Sequence, residues 1–432
     1  MLIKKKLFLI ILIVSSIILY MPVKIYGEDN IENFTEKINK LTLRQALEEA
    51  LKNNHHVKSA IATLPVSEAN IIIAKYRPNP YVFSYRENVK GGAFHPSDVT
   101  KDFEVGRKRY WRIRLAKEQV SKTELLIAKV LWEVHTQVHS IYAALSIGID
   151  LLNLAKARTN FYKSLVDIAD KRFQAGDISK LELDRAKMQL LSAENDFSEF
   201  EGRSKRAKID FNHILGRESY SEIDLDKTEE LKPKIKIDEY KPIKNILADA
   251  LSKRIEVAIL EKDFGIARAQ IKKAQWERIP NFNLQTGPVK PNVTDHYWGI
   301  YTGFGAELPL FNRKQGEIKQ AKAQVAYLEK EGERIEHDIN IEVANATQDL
   351  KVREEQVQRF EGNLLGQSEN VLEMIKEGYK QGKLSLTDVL NAEQQNRDLR
   401  QKYLESLLNY QLALASLEYA VGVPLYGLTE KQ

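Results

Sequence analysis

The side chains most able to do chemistry in this chain are a few carboxylates, cations and histidines set at helical spacing. His135 and His139 stand four apart, so on a helix they share one face and could clamp a metal ion. No carboxylate lies between them and no third ligand is evident, which favours two polar residues beside an apolar seam through Val134 and Val138. His55 and His56 read as a surface pair. Glu182 and Asp388 each lie six residues past a glycine, Gly176 and Gly382, on the first turns of a returning helix. An acid there is stabilised by the helix dipole. Arg107, Lys108, Arg109, Arg112 and Arg114, with Arg313 and Lys314 later on, put cations at helix starts, against that preference. A local rule broken twice suggests a partner for those charges. Nucleophile elbow, phosphate loop and paired-carboxylate signatures are all missing from the sequence, so the reading is of a non-enzyme with no cofactor and no resident metal.

The elements that must position these residues come in two copies. At an offset of 200, Leu47, Ala50, Leu51, Val57, Ala69, Ile71, Ala74 and Pro80 recur as Leu247, Ala250, Leu251, Val257, Ala269, Ile271, Ala274 and Pro280. At an offset of 206, Gly176, Ser179, Ala186 and Gly216 recur as Gly382, Ser385, Ala392 and Gly422, with Phe173 answered by Tyr379 and Glu182 by Asp388. A repeat of this length is too long for a solenoid unit and reads as a duplicated half. No proline falls between Pro96 and Pro233 or between Pro309 and Pro424. Coiled-coil spacing there, Leu131, Val134, Val138, Ile141 and Leu145, then Val343, Ala346, Leu350, Val357 and Phe360, predicts long helices over 107–174 and 315–380. Each of roughly 65 residues would reach about 100 Å at 1.5 Å per residue.

Each long helix then turns at Gly176 or Gly382, where glycine tolerates positive φ, and Ser179 or Ser385 is placed to cap the return helices 181–215 and 385–421. Earlier helices over 54–77 and 254–277 precede the strands, and Pro65 should kink the first. The strands lie in two hairpins, 80–106 and 280–309. Tyr81, Phe83 and Tyr85 alternate with Val82, Ser84 and Arg86, and Phe282 and Leu284 with Asn281, Asn283 and Gln285; Trp298, Ile300, Thr302 and Phe304 share another face. Such period-2 alternation with aromatics is that of lipid-facing barrel strands, although a hairpin packed on a soluble core has the same pattern. Four strands cannot close a barrel. Two chains would give eight strands and a filled interior; three would give twelve and leave a lumen.

The full domain reading is therefore a signal peptide over 1–27, a first repeat over 28–215, a charged linker over 216–242, a second repeat over 243–422 and a tail over 423–432. Lys4, Lys5 and Lys6 precede an apolar run from Leu7 to Met21, and Gly27 offers a small residue for cleavage. That run is shorter than the about 20 residues of a spanning helix, and no later apolar run reaches that length, so any membrane crossing falls to strands. Removing residues 1–27 lowers the net charge from +5 to about +1. A concentrated basic face is then missing and no nucleic-acid partner is expected. The absence of cysteine fits an exported chain held by packing.

With these features in place, the chain resembles the TolC-like outer-membrane factors of Gram-negative bacteria, and within them the heavy-metal-efflux branch. The resemblance covers about residues 40–425 and rests on NNHHV and RPNP, FEVGRKRYWRIRLA at 103–116, ELPLFNRKQGEI at 307–318, and the tips FQAGDISKLEL and YKQGKLSLTDVL. It implies a mainly α fold with a small β part: a homotrimer with a twelve-stranded transmembrane β-barrel continuous with a periplasmic α-barrel, acting as the outer-membrane exit duct of a tripartite efflux system. The implied partners are an inner-membrane pump of the RND type, a periplasmic adaptor docking at Gly176, Ser179, Gly382 and Ser385, and outer-membrane lipid. It also implies that Asp388, with Glu182 as its counterpart, rings a periplasmic constriction; the second acid often found one turn on is here Asn391. On this resemblance the basic helix starts lie at the periplasmic rim of the barrel, within reach of anionic head groups. Drug or protein export is the alternative within the family, and a periplasmic coiled-coil scaffold the alternative outside it.

Overall fold

The computed structural model describes residues 40–84, 87–89, 92–94, 97–225, 231–233, 243–289, 297–362 and 364–424, and the side chains of 85–96 and 241–244 are left aside. The signal-peptide reading over 1–27, Tyr85, most of the linker and the tail beyond 424 lie outside the described residues. The chain divides into two compact units. One comprises the described parts of Met1–Ser59, Ala128–Arg254 and His337–Gln432; the other comprises Ala60–Ile127 and Ile255–Glu336.

In the order of the chain the helices and strands are α1 (Leu43–Asn53), α2 (His55–Lys75), β1 (Tyr81–Ser84), β2 (Glu87–Val89), β3 (Gly92–Phe94), β4 (Ser97–Phe103), α3 (Lys108–Gln174) and α4 (Lys180–Leu215). The second half repeats the plan with α5 (Ile243–Lys253), α6 (Ile255–Glu277), β5 (Phe282–Val289), β6 (Gly299–Ala306), α7 (Gln315–Glu361), α8 (Leu364–Lys380) and α9 (Leu386–Val421). Three features differ from the sequence reading. The second long helix is two helices, Gln315–Glu361 and Leu364–Lys380, with Gly362 in a turn after the first. Short helices α1 and α5 precede α2 and α6. The first hairpin holds an extra two-stranded ribbon, β2 with β3, where loop was expected.

The joints between the short helices show how the duplication is used in the larger-helix unit. Asn54, 2% exposed, caps α2 by accepting from the backbone N–H groups of His56 and Val57, and its Nδ2 donates to the Ile214 carbonyl at 2.8 Å. Its repeat counterpart Arg254 donates to the Ala420 carbonyl at 3.1 Å and pairs with Glu342 at 2.8 Å. Ile214 and Ala420 are themselves counterparts in the second offset. In both halves one buried polar side chain thus satisfies carbonyls that the end of a return helix leaves unpaired.

In the other unit, β1, β4, β5 and β6 form one antiparallel sheet in the order β1-β4-β5-β6. Val82 pairs with Val99, Phe103 with Phe282, and Phe282 with Ala306. Preceding the sheet, α2 runs through Pro65 without ending there. By length and hydropathy alone α2 and α3 are each apolar enough to cross a bilayer, contrary to the sequence expectation; much of α3's apolar surface is covered by its own fold, including Val134, Val138 and Leu145.

Candidate functional site

Two hairpin tips and one sheet carry the residues singled out by the sequence. At the tips Gly176 and Gly382 have φ of 81° and 75°, the left-handed region that L side chains enter only with strain. Ser179 then accepts from Glu182 N–H, and Ser385 from Asp388 N–H at 3.3 Å. The second tip closes the cap reciprocally: Asp388 Oδ2 accepts from Ser385 N–H at 3.0 Å and from the Ser385 hydroxyl at 2.7 Å. These bonds to the Ser385 side chain and backbone hold the fully exposed Asp388 carboxyl below its ordinary range, so it is anionic at neutral pH.

Beneath the tips the two hairpins share a core of Leu165, Ala169, Leu183, Ala186, Tyr379, Leu386 and Val389. Arg172 locks it: its guanidinium lies 4.8 Å from the Tyr379 ring centroid and donates to the Tyr379 carbonyl at 3.1 Å. Deeper in, Glu393, 5% exposed, accepts from the Tyr162 hydroxyl at 2.5 Å and lies 3.5 Å from Arg158, which also pairs with Asp196. Burial, reinforced by Glu393, pushes the Tyr162 hydroxyl well above its ordinary range. Sequence periodicity did not reveal this polar network, since Arg158 and Glu393 are 235 residues apart.

The sheet's two faces are chemically opposite. Residues in register share a face, and one face carries Val82, Val99, Phe103, Phe282, Leu284, Ile300 and Phe304, with Lys101, Thr286 and Thr302 among them. Ile300 and Phe304 are 81% and 79% exposed, and the rings of Phe103 and Phe282 stack at 5.0 Å. The other face carries Asp98, Thr100, Asn283, Gln285 and Tyr301, with Asp98 2% and Thr100 5% exposed. Gln285 Nε2 donates to Asp98 Oδ2 at 3.0 Å. The most exposed apolar side chains, Ile300 and Phe304, therefore stand on one face and the buried polar ones, Asp98 and Thr100, on the other, the reverse of a water-soluble sheet. The register corrects one expectation: Tyr81 pairs with Thr100 and Phe83 with Asp98, so both stand on the polar face, opposite Phe282, Leu284 and Ile300. Alternation within β1 was read correctly as period 2, but its phase against β4 is set by the pairing and not by the strand itself. Trp298, 56% exposed, precedes β6.

The basic helix start in the first copy also finds internal partners. Arg109 donates to the Lys75 carbonyl at 2.8 Å; Arg112 donates to the Ala74 and Tyr76 carbonyls at 3.0 and 2.8 Å and pairs with Glu104. These cations close the carbonyl end of α2, where positive charge is favoured. In the second copy Lys314 pairs with Glu317 at 3.0 Å.

The histidines separate into two environments. Both ring nitrogens of His139 are committed, Nδ1 to Glu418 Oε2 at 2.9 Å and Nε2 to Gln411 Oε1 at 3.0 Å. Gln411 cannot turn its amide over, because its Nε2 donates to the Leu231 carbonyl at 2.8 Å. His135 stacks on Trp132 at 4.8 Å, and burial, with His139 nearby, lowers its pKa to about 4 despite the Glu418 charge. The pair is thus a structural insertion into the seam. Among the described residues no group of three or more His, Asp or Glu is placed to hold a metal ion.

Comparison with known proteins agrees with this geometry. The family model described as outer membrane efflux protein matches residues 98–217 and 246–423. The cobalt-zinc-cadmium resistance protein CzcC of Cupriavidus metallidurans is 23% identical over 393 residues, covering 90% of this chain and 91% of that protein. Among solved structures, CusC superposes with a TM-score of 0.71 at 19% identity, over 88% of this chain and 92% of its own. The outer membrane protein VceC of Vibrio cholerae superposes with a TM-score of 0.69 at 16% identity, over 88% and 96%. With the family model spanning most of the chain and the inverted sheet supplying a lipid-compatible face, this chain belongs to the outer membrane efflux protein family, placed in the outer membrane with a long helical periplasmic portion.

Proposed function

We propose that this protein is the passive exit duct of a tripartite efflux system and that its cargo is heavy-metal cations. The inverted sheet carries the duct reading. Four strands with an apolar exposed face and a polar covered face leave edges at β1 and β6, and closure by three copies gives twelve strands, an outer lipid face and a polar lumen. A pump in the inner membrane supplies the energy, since neither unit holds a nucleotide-binding motif, and a periplasmic adaptor docks on the tips around Gly176, Ser179, Gly382 and Ser385. Asp388 from three copies forms the anionic ring at the periplasmic entrance, with Glu182 in a lesser role. The metal cargo is supported by the likeness to a cobalt-zinc-cadmium resistance protein. Phe173 supports the trimer: it is 39% exposed, whereas its repeat counterpart Tyr379 is fully covered by the neighbouring hairpin, so the first hairpin lacks the neighbour that the second one has.

The test is a deletion strain challenged with zinc, cobalt, cadmium, nickel, copper and silver alongside dyes and detergents. Sensitivity confined to metals and restored by the wild-type gene is expected. A Gly382→Trp variant should insert in the membrane normally yet fail to restore resistance, since the added ring is strained at φ 75° and blocks the tip. Sensitivity to dyes and detergents alone would transfer the cargo assignment to drug export.

A further inference from the structure

We propose that each protomer holds an anionic phospholipid head group at the junction of β6 and α7, between Arg278, Arg313, Lys319 and Lys322. The inference rests on the outer-membrane placement of the family and is independent of the cargo. A pocket of about 400 Å³ is lined by these four cations with Gln315 and Ile318. Gln315, Ile318, Lys319 and Lys322 follow the i, i+3, i+4, i+7 stripe of one helix face. Arg278 reaches the same space from the end of α6, and Arg313 from the loop before α7.

Charge in this region is sorted by face. The opposite face of α7 lines a second pocket with Asp263, Glu277 and Glu317, so acids that could neutralise the cations are turned away from them. Among the described residues none of Arg278, Arg313, Lys319 and Lys322 forms an ion pair; Arg313 uses its Nε for the Leu310 carbonyl at 3.3 Å, which fixes its stem and leaves the two terminal nitrogens of the fork as donors. Four cations around one pocket suit a phosphate, and guanidinium groups match its oxygens in pairs.

An adjoining apolar surface selects a lipid over a free anion. The loop between β6 and the pocket presents Leu308, Leu310 and Phe311 at 66%, 62% and 92% exposure. It continues the apolar sheet face at its near end, where Phe103, Phe282 and Ala306 lie in one row. Acyl chains on that surface with the phosphate in the basic pocket satisfy both halves of one molecule, whereas a free phosphate uses only the pocket. The first copy cannot do the same, since Arg109 and Arg112 are spent on the α2 carbonyls.

The experiment uses the full protein purified in detergent and mixed with phosphatidylglycerol or phosphatidylcholine micelles, with retained lipid counted by native mass spectrometry. Preferential retention of phosphatidylglycerol is expected. Replacing Arg278, Lys319 and Lys322 together by Gln should weaken it by about fivefold per cation, roughly a hundredfold in all, with the assembly still intact in the same spectra. Phe311→Ser should weaken retention of the lipid without changing binding of glycerol phosphate. Equal retention of the two lipids, an unaffected triple variant, or full displacement of phosphatidylglycerol by millimolar inorganic phosphate would overturn the proposal. Recovery of the chain in the soluble periplasmic fraction would instead overturn the membrane placement beneath it.

Discussion

At the scale of single residues, Asp388 serves two ends with one carboxylate: it closes the cap on α9 and holds a negative charge at the tip. Its carboxyl is held below the ordinary value, so the contribution of its charge is complete above that value and is lost only as pH falls below about 3.8. The proposed ring should therefore stay charged across the pH range of the periplasm. Asp388→Asn, which keeps an acceptor for Ser385 while removing the charge, should lower cation selectivity in planar bilayers; Asp388→Ala should do so and also raise leak. Unchanged selectivity in both variants would return Asp388 to a purely local role. His135 gives a pH dependence of the opposite sense. Its folded pKa of about 4 lies below the unfolded value of 6.5, so the unfolded chain binds more protons between these limits and stability falls as pH drops through that window. The wild type should lose on the order of 3 kcal/mol between pH 7 and pH 4 relative to His135→Gln, read from parallel denaturation curves at each pH.

At the scale of elements, pairing decides what a strand's alternation means. The chain has no cysteine, so single cysteines can be placed freely. Cysteines at Val82, Ile300 and Phe304 should be shielded from a membrane-impermeant maleimide and reached by a lipid-borne quencher of an attached fluorophore; cysteines at Tyr81 and Phe83 should behave in the reverse way. Labelling of Tyr81 and Val82 positions in the opposite sense would mean that β1 has slipped by one residue against β4. The α1–α2 joint offers a second element-scale expectation. Asn54→Ala removes the cap of α2 and strands the buried Ile214 carbonyl, a loss of about 1–3 kcal/mol that should appear as a lower denaturation midpoint with little change in conductance.

At the scale of the whole molecule, the open edges of the sheet and the uncovered Phe173 both call for neighbours of the same kind. The protein should resist extraction by high salt or alkaline carbonate, dissolve only in detergent, and run as a trimer by light scattering corrected for bound detergent. Release of a monomer by osmotic shock would contradict this. Phe173→Glu should weaken the proposed trimer while leaving the barrel strands untouched, because it charges a site that a neighbouring protomer's hairpin would cover.

Periodicity, punctuation and self-similarity, though not enough for the break after Glu361 or the β2–β3 ribbon, were enough to read the first long helix, both glycine turns, the serine caps and the strands of the four-stranded sheet, because these depend on interactions within a few residues of chain. The short helix α1 carries a local signal of its own, a capping box of Thr42 with Gln45 at the head of a buried stripe through Leu43, Ala46, Leu47 and Ala50. What the sequence alone could not decide is what depends on partners far along the chain. The phase of β1, the employment of Arg109 and Arg112 on the α2 carbonyls, the Arg158–Glu393 network and the commitment of both His139 nitrogens are set by contacts 13 to 279 residues apart. A local pattern states that a side chain is charged, apolar or able to bind metal; only the packed fold states which groups are left over to meet lipid, cargo or another protein.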